Sequence, residues 1–187
     1  MGFLDKLLGR SKPVPPNLDQ LFALPAAAVT LQVASDLQPT GIGAVCFKAA
    51  EGAPFAGMRA QVEQLLALDG GRYTEQTDDY GFTWLVRRTK PPDLESLVTD
   101  LHAVNSGLLE AGFGSALLCT VICFTGGPRP LALVYLYKRG TWYPFAPLED
   151  KRRDNARELQ VSAVLGSDLR MEPDPSRWFP LYGAPGL

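Results

Sequence analysis

The sequence has very few of the side chains on which most enzyme chemistry depends. It contains one histidine, His102, and three cysteines among 187 residues. A multi-histidine metal site is therefore excluded, and cysteine–histidine catalysis would need an exposed thiolate beside His102. The pattern GxxxxGK[ST] does not occur, so a P-loop is excluded as well. We predict a protein that is not an enzyme, with no catalytic residue, no metal site and no cofactor.

A strong excess of positive charge is also missing. The chain has 18 Lys and Arg against 20 Asp and Glu, a formal net charge of -2. Because non-specific nucleic-acid binding depends on basic side chains that neutralise phosphates, we predict no nucleic-acid partner. The content of 46% hydrophobic and 20% charged residues is typical of a folded globular chain. We therefore expect a single soluble domain of ordinary size.

Long apolar segments and a disulfide framework are not evident either. Cys46, Cys119 and Cys123 lie within the apolar stretches AVCF and LLCTVICF, where cysteine behaves as a small hydrophobic residue. The N-terminal sequence MGFLDKLLGR has no long apolar core and no small-residue cleavage site, so we expect no secretory export. The longest uncharged run, residues 111–128, contains four glycines and predicts a turn, a strand and a turn. We predict no transmembrane helix and a cytoplasmic location.

The distribution of proline and apolar residues predicts four parts along the chain. Residues 1–12 form an amphipathic tip, residues 13–16 a proline spacer, residues 17–170 a single α+β domain, and residues 171–187 an aromatic tail, rich in Pro and Gly, packed on that domain. One helical face of the tip would hold the candidates for membrane contact, Phe3, Leu4, Leu7 and Leu8. This face, with basic residues opposite, suits an anionic membrane surface. The alternative is a disordered tail or a packing arm.

Hydrophobic periodicity predicts an α+β fold with an antiparallel sheet of about five strands packed with helices. The predicted strands are residues 41–48, 72–77, 81–88, 117–124 and 130–138. The clearest helix spans residues 93–111, with Asp93 as its N-cap. The order β-α-β-β-α-β from residue 40 to 124 is compatible with a ferredoxin-like split, and a secretion-chaperone-like arrangement fits about as well.

Three further segments have helical character. Residues 54–70 carry apolar side chains at helical spacing, whereas residues 26–37 are ambiguous between strand and helix, with helix slightly favoured. The pattern after Asp150 predicts a last helix that opens at this residue. Its inward residues would be Ala156, Leu159 and Ala163, and its largely outward basic residues Lys151, Arg152, Arg153 and Arg157.

The densest local feature is the aromatic and basic cluster YLYKRGTWYPFAP. Aromatic rings beside cations suit a binding surface, because they offer apolar area with polar tips. The candidates for partner binding are Tyr137, Arg139, Trp142 and Tyr143, with Trp178 from the similar segment RWFPLYG. The alternative is that half of these aromatic side chains belong to the core. A small acidic turn at Glu75, Asp78 and Asp79 predicts solvated carboxylates more readily than a cation site.

Segments along the whole chain resemble the PspAB family of PspA-associated proteins, from bacterial phage-shock gene neighbourhoods. They include MGFLDKLLGRSKP, PTGIGAVCF, LVTDLHAVNSGLLEAGFG, LALVYLYKRGTWYPFAPL, RRDNARELQVSAVLG and RWFPLYGAPGL. The resemblance implies association with PspA, a protein that supports stressed membranes through amphipathic helices. It carries over no catalytic residues.

The resemblance therefore implies a non-enzymatic accessory or adaptor protein of the phage-shock envelope-stress response. Its expected partners are a PspA-type protein and, through the tip, an anionic membrane surface at the inner face of the cell membrane. Two alternatives remain open. One is a small-molecule or nucleotide-binding domain in which the acidic turn and the aromatic cluster line a pocket. The other is a chaperone-like protein that binds a hydrophobic partner helix.

Overall fold

The computed structural model describes residues 17–48, 60, 64, 73–127 and 129–187. Within these residues, six antiparallel strands form one sheet that packs with three α-helices, so the predicted α+β fold is confirmed. The strands are β1 (Gln38–Phe47), β2 (Tyr73–Thr77), β3 (Thr83–Arg88), β4 (Leu117–Thr125), β5 (Leu131–Leu136) and β6 (Thr141–Phe145). A separate two-stranded ribbon consists of β7 (Pro147–Leu148) and β8 (Arg152–Arg153).

The order of strands in the sheet is β2-β3-β1-β4-β5-β6. Because β3 and β4 are each antiparallel to β1, they run parallel to each other with β1 between them. Helix α2 (Leu94–Glu110) connects β3 to β4 and passes over β1. This is a split β-α-β unit, the arrangement of the ferredoxin-like alternative. Strands β5 and β6 extend it on the β4 side.

The helix boundaries follow local capping. Helix α1 (Leu24–Ser35) confirms the helical interpretation of residues 26–37, and a 3-10 turn, Leu18–Ala23, precedes it. The N-cap of α2 is Asp93, as predicted, because its side chain accepts a hydrogen bond from the backbone N–H of Ser96. These two helices pack on the same face of the sheet.

Helix α3 (Asn155–Leu165) begins later than predicted. Residues 152–153 pair as β8, and the carboxylate of Asp154 accepts a hydrogen bond from the backbone N–H of Arg157, so Asp154 and not Asp150 is the N-cap. The buried residues are Glu158, Val161 and Leu165. The predicted inward residues Ala156, Leu159 and Ala163 are exposed, because the helix packs on the domain with the face of Glu158, Val161 and Leu165.

Some predicted features lie outside the described residues. These are the tip with Phe3, Leu4, Leu7 and Leu8, the spacer at residues 13–16, and most of the helix predicted at residues 54–70. Of that last segment, Ala60 and Gln64 are described and are helical.

The sheet separates two apolar cores, because successive strand residues point to opposite faces. One core lies between the sheet and the helices and includes Val45, Leu85 and Ile122. The other lies on the opposite face and includes Cys46, Trp84 and Val121. The C-terminal segment, residues 171–187, contributes Trp178 and Ala184 to this second core. Both faces of the central strands are therefore covered, as their continuous apolar sequences predict.

The continuous helical stretch Leu18–Ser35 is long and apolar enough to cross a membrane by length and composition. The core helix of a globular domain meets the same criterion. Here Leu21, Leu24 and Leu31 are fully buried in the helix-side core. The absence of a transmembrane helix stays a prediction.

Substitution of Gly126 tests a close approach between two loops. Gly126 has φ +129, and a Cβ there would lie 1.9 Å from the carbonyl oxygen of Asp36, at the end of α1. We expect Gly126→Ala to lower the free energy of unfolding by about 2 kcal/mol or more. Gly81→Ala is the control, because Gly81 has φ +78 but open space around it, and should cost about 1 kcal/mol. Equal losses in urea unfolding would contradict the close approach.

Candidate functional site

A pocket of about 520 Å³ opens on the face of the sheet opposite the helices. Its floor includes Cys46, Trp84 and Cys119 from β1, β3 and β4, and one wall includes Leu181 and Tyr182 of the C-terminal segment. Aromatic and aliphatic side chains provide most of the lining. Its volume and apolar character are typical of small-molecule sites.

The turn between β2 and β3 shapes a second wall through Asp78. One carboxylate oxygen of Asp78 accepts hydrogen bonds from the backbone N–H groups of Tyr80 and Phe82, each at 2.9 Å. The other oxygen accepts from Nε1 of Trp84 at 2.9 Å. Asp78 therefore fixes the turn and the Trp84 indole, so it is not one of the solvated carboxylates that the acidic turn predicted.

The thiols at the pocket floor are buried. Cys46 and Cys119 are directly opposite each other on β1 and β4, and both are buried. A hydrogen bond with the Cys119 side chain and burial raise the pKa of Cys46 far above its ordinary value. Under the C-terminal segment, burial raises the pKa of Cys123 to about 12. The prediction that all three cysteines are buried is confirmed. Because the thiolate is the reactive form, the raised pKa values make Cys46 and Cys123 poorer nucleophiles.

Three cationic side chains, Lys138, Arg139 and Arg177, are exposed and line the pocket. Arg139 Nε lies 2.5 Å from a carboxylate oxygen of Glu172, and Arg177 Nε lies 3.0 Å from a carboxylate oxygen of Asp174. Lys138 donates to a backbone carbonyl at 3.1 Å and pairs with no carboxylate among the described residues. Among the described lining residues, it is therefore the cation that no carboxylate neutralises.

The buried carboxylate of Glu172 connects the C-terminal segment to β6 and to the turn before it. It accepts hydrogen bonds from Arg139 and from the hydroxyl of Thr141, the latter at 2.8 Å. The backbone N–H of Glu172 donates to the carbonyl of Trp142 at 2.7 Å. Burial opposes ionisation, but the hydrogen bonds from Arg139 and Thr141 outweigh it, so the pKa of Glu172 is lowered.

A second buried carboxylate, Glu158 of α3, holds the same segment through Arg153. Both oxygens of Glu158 accept from Arg153 Nε, at 3.0 and 2.8 Å. Arg153 in turn donates to the carbonyl of Trp178 at 2.5 Å. Burial raises the pKa of Glu158 despite these donors. The prediction that Arg153 points outward is wrong, because it bridges the helix and the C-terminal segment.

The structure places the five predicted partner-binding residues in different environments. Tyr137, Trp142, Tyr143 and Trp178 are between 0 and 6% exposed, whereas Arg139 is exposed. Tyr143 and Arg139 line the pocket. Tyr137 and Trp142 belong to the core between the sheet and the helices, and Trp178 belongs to the core on the opposite face. The alternative of core aromatic residues therefore holds for these three. Partner binding by Arg139 and Tyr143 stays a prediction.

An exposed apolar face along Leu18–Ser35 is not among the features predicted from the sequence. The side chains of Phe22, Val29 and Val33 are 48%, 62% and 84% exposed. Their spacing of seven and four residues places them on one helical face. No charged residue occurs from Phe22 to Ser35. This uncharged run is the signal in the sequence, because a helix that buries only one face usually has charged residues on the other.

These features define an α+β domain with a split β-α-β sheet and a pocket under its C-terminal segment. The described residues contain no group of three or more metal-ligating side chains. The chain belongs to the family of PspA associated protein B, PspAB, whose model matches residues 1–186. This confirms the resemblance, and the family name associates the chain with PspA. No curated protein and no solved structure gives a significant match.

The lowered pKa of Glu172 predicts that the protein loses part of its stability at low pH. A lowered folded-state pKa means that ionised Glu172 stabilises the fold above its ordinary pKa of 4.5, and this contribution is lost as the pH falls through the folded value. We expect Glu172→Gln to lower the free energy of unfolding by about 1–3 kcal/mol at pH 7. The difference from the unsubstituted protein should shrink below pH 4.5.

The control is Glu149→Gln, which removes an exposed carboxylate 3.7 Å from Arg129 and should cost less than about 1 kcal/mol. Urea unfolding at several pH values measures both variants. Equal losses for the two variants at pH 7, or a loss at Glu172 that does not change with pH, would contradict the role of this carboxylate.

Proposed function

We propose that the chain is a non-enzymatic adaptor of the PspA stress response, which binds a PspA-type protein by direct contact. The observation that carries this proposal is the family match over residues 1–186. The state of its reactive groups supports it. The pocket thiols are buried, and the carboxylates of Asp78, Glu158 and Glu172 are engaged in hydrogen bonds that hold the fold.

The outward face of Leu18–Ser35 is the surface that best suits a protein partner. Grouped apolar side chains at the surface of a folded domain mark interaction sites. Phe22, Val29 and Val33 supply anchors on one face, as helix-to-helix docking requires. The partner segment is an amphipathic helix of the PspA-type protein, which packs its apolar face on these three side chains.

The N-terminal tip brings the adaptor to the inner face of the cell membrane in this proposal. Phe3, Leu4, Leu7 and Leu8, with nearby basic residues, suit an anionic bilayer surface. The described chain begins at Asn17, whose carbonyl accepts a hydrogen bond from the hydroxyl of Tyr135. This contact anchors the start of the domain on the sheet.

Charge on the outward face of α1 should weaken binding of the partner. In a pull-down with a PspA-type protein as bait, we expect the unsubstituted chain to be retained. The double variant Val29→Glu, Val33→Glu should lose at least about tenfold in affinity, because charged groups would be buried without partners. The charge-matched control is Gln76→Glu, Gln160→Glu, at exposed positions on β2 and α3, and it should bind normally. Equal binding by both double variants would reject this surface.

Deletion of residues 1–12 distinguishes binding to a membrane from binding to the protein partner. We expect the shortened chain to lose binding to vesicles that contain anionic lipid and to keep binding to the PspA-type protein. Co-sedimentation with vesicles and the pull-down measure the two properties independently. If the intact chain is retained by neither bait, the adaptor proposal fails.

A second candidate function, small-molecule binding, is favoured by the pocket. Asp78 of the acidic turn lines the same pocket as Arg139 and Tyr143 of the aromatic cluster, as this alternative requires. A nucleotide suits the pocket poorly, because its phosphates and base need several free polar partners. An apolar ligand suits it better.

A further inference from the structure

We propose that the pocket binds one molecule of a single-chain amphiphile with an anionic headgroup, of the fatty-acid class. The hydrocarbon chain lies among the apolar side chains of the pocket, and the headgroup lies beside Lys138. This assigns a ligand site that is independent of the proposed contact between α1 and a protein partner.

The lining suits a hydrocarbon chain. Phe82, Trp84 and Tyr143 provide aromatic surface, and Leu118 and Leu136 provide aliphatic surface. Each methylene group moved from water into such surroundings makes binding more favourable. The volume of about 520 Å³ falls within the range of about 300–1,000 Å³ that is usual for ligand pockets.

The polar groups of the lining are mostly engaged with the protein itself. Both carboxylate oxygens of Asp78 accept hydrogen bonds, one of them from Trp84. The hydroxyl of Tyr143 donates to the carbonyl of Phe179 at 2.9 Å. A ligand that needed many hydrogen bonds would find few partners inside, whereas a hydrocarbon chain needs none. This separates an amphiphile from a sugar or a nucleotide.

The charges of the exposed lining residues select the sign of the headgroup. Lys138 and Arg139 lie in the turn between β5 and β6, and Arg177 lies in the 3-10 turn Pro175–Arg177. Glu172 holds the two turns together, because it accepts from Arg139 and from the backbone N–H of Asp174. Because Arg139 and Arg177 are already paired with Glu172 and Asp174, a carboxylate or phosphate headgroup gains its attraction mainly from Lys138, whose pairing it would complete.

Two other occupants are less suited to the pocket. The N-terminal tip carries Lys6, Arg10 and Lys12 against one acidic residue, Asp5, so its net charge has the same sign as that of Lys138. A bilayer surface is flat or convex, whereas the pocket encloses its ligand between the sheet and the C-terminal segment. A single amphiphile with its hydrocarbon chain inside fits both the enclosed shape of the pocket and the positive charge of Lys138.

The test is titration of the full chain with dodecanoate, kept below the concentration at which it forms micelles. Calorimetry should give one ligand per chain, and tryptophan fluorescence should change, because Trp84 lines the pocket. Dodecyltrimethylammonium, which has the same chain length and opposite charge, should bind at least about tenfold more weakly. Anionic lipid vesicles form a separate arm that reports on a bilayer surface as the source of the headgroup.

Two substitutions and a control locate the site. Lys138→Glu should weaken dodecanoate binding by about fivefold or more, and it should not affect folding because the side chain is exposed. Leu118→Trp fills the pocket and should weaken binding of both amphiphiles, with circular dichroism as the check on folding. Lys90→Glu is the matched control, since Lys90 is exposed just beyond the far end of β3. The affinity of this control variant for dodecanoate should stay within about twofold of that of the unsubstituted chain.

Each outcome of the titration decides for or against the proposal. Absence of dodecanoate binding in both the full chain and the form lacking residues 1–12 overturns it. Equal affinity for the two amphiphiles, no effect of Lys138→Glu, or binding to vesicles alone also overturns it. Binding that appears only after the deletion supports the ligand class and shows that the tip competes for the pocket. Because α1 is not involved, loss of PspA binding leaves these outcomes unchanged.

Discussion

The buried carboxylate of Glu172 is the interaction on which the second face of the sheet depends. A buried negative charge is tolerated only where donors satisfy it, and Arg139, Thr141 and the backbone of Asp174 provide those donors. The same residue joins the C-terminal segment to the edge of the sheet through its backbone. The segment can therefore cover the strands and bury Trp178, and a pocket remains between them.

The two binding surfaces that we infer are built on opposite faces of one sheet. The helices cover one face, and the uncharged outer side of α1 exposes apolar side chains to which another protein could bind. The C-terminal segment covers the other face incompletely and leaves a concave apolar space with cations beside it. Apolar anchors along one helical face suit a partner helix, and an enclosed apolar space suits a small ligand. The arrangement allows both partners to be bound at the same time.

The elements that could be predicted from the sequence are those whose apolar pattern and capping residues lie within the element itself. Strands β4 and β5 are apolar on both faces, and α2 has a regular apolar stripe with Asp93 as its cap. Helix α3 was misread because Asp150 and Asp154 both resemble caps, and only the pairing of β7 with β8 decides between them. Glu158 could not be recognised as an inward residue, since its burial depends on Arg153.

The candidate site was harder to predict, because it depends on how distant segments meet. Asp78 and Tyr143 are far apart in sequence, and the order of strands together with the C-terminal segment brings them to one pocket. The burial of Trp142 could not be predicted from the sequence, because neighbouring residues of a strand face opposite sides and here both sides are covered. The pocket volume and the pairing of the basic residues have no signature in the sequence.

The outer edge of β6 offers no free backbone donor to a strand from another molecule. The backbone N–H and C=O of Trp142 both bond to residues 170–172, so the alternating backbone groups that face away from β5 belong to positions 142 and 144. The N–H of Trp142 is taken by the carbonyl of Arg170, and Pro144 has no N–H to offer. An extended chain from another molecule would thus find no backbone donor along this margin, so sheet extension from β6 is blocked. This edge is therefore protected against the strand-to-strand aggregation to which open sheet edges are prone.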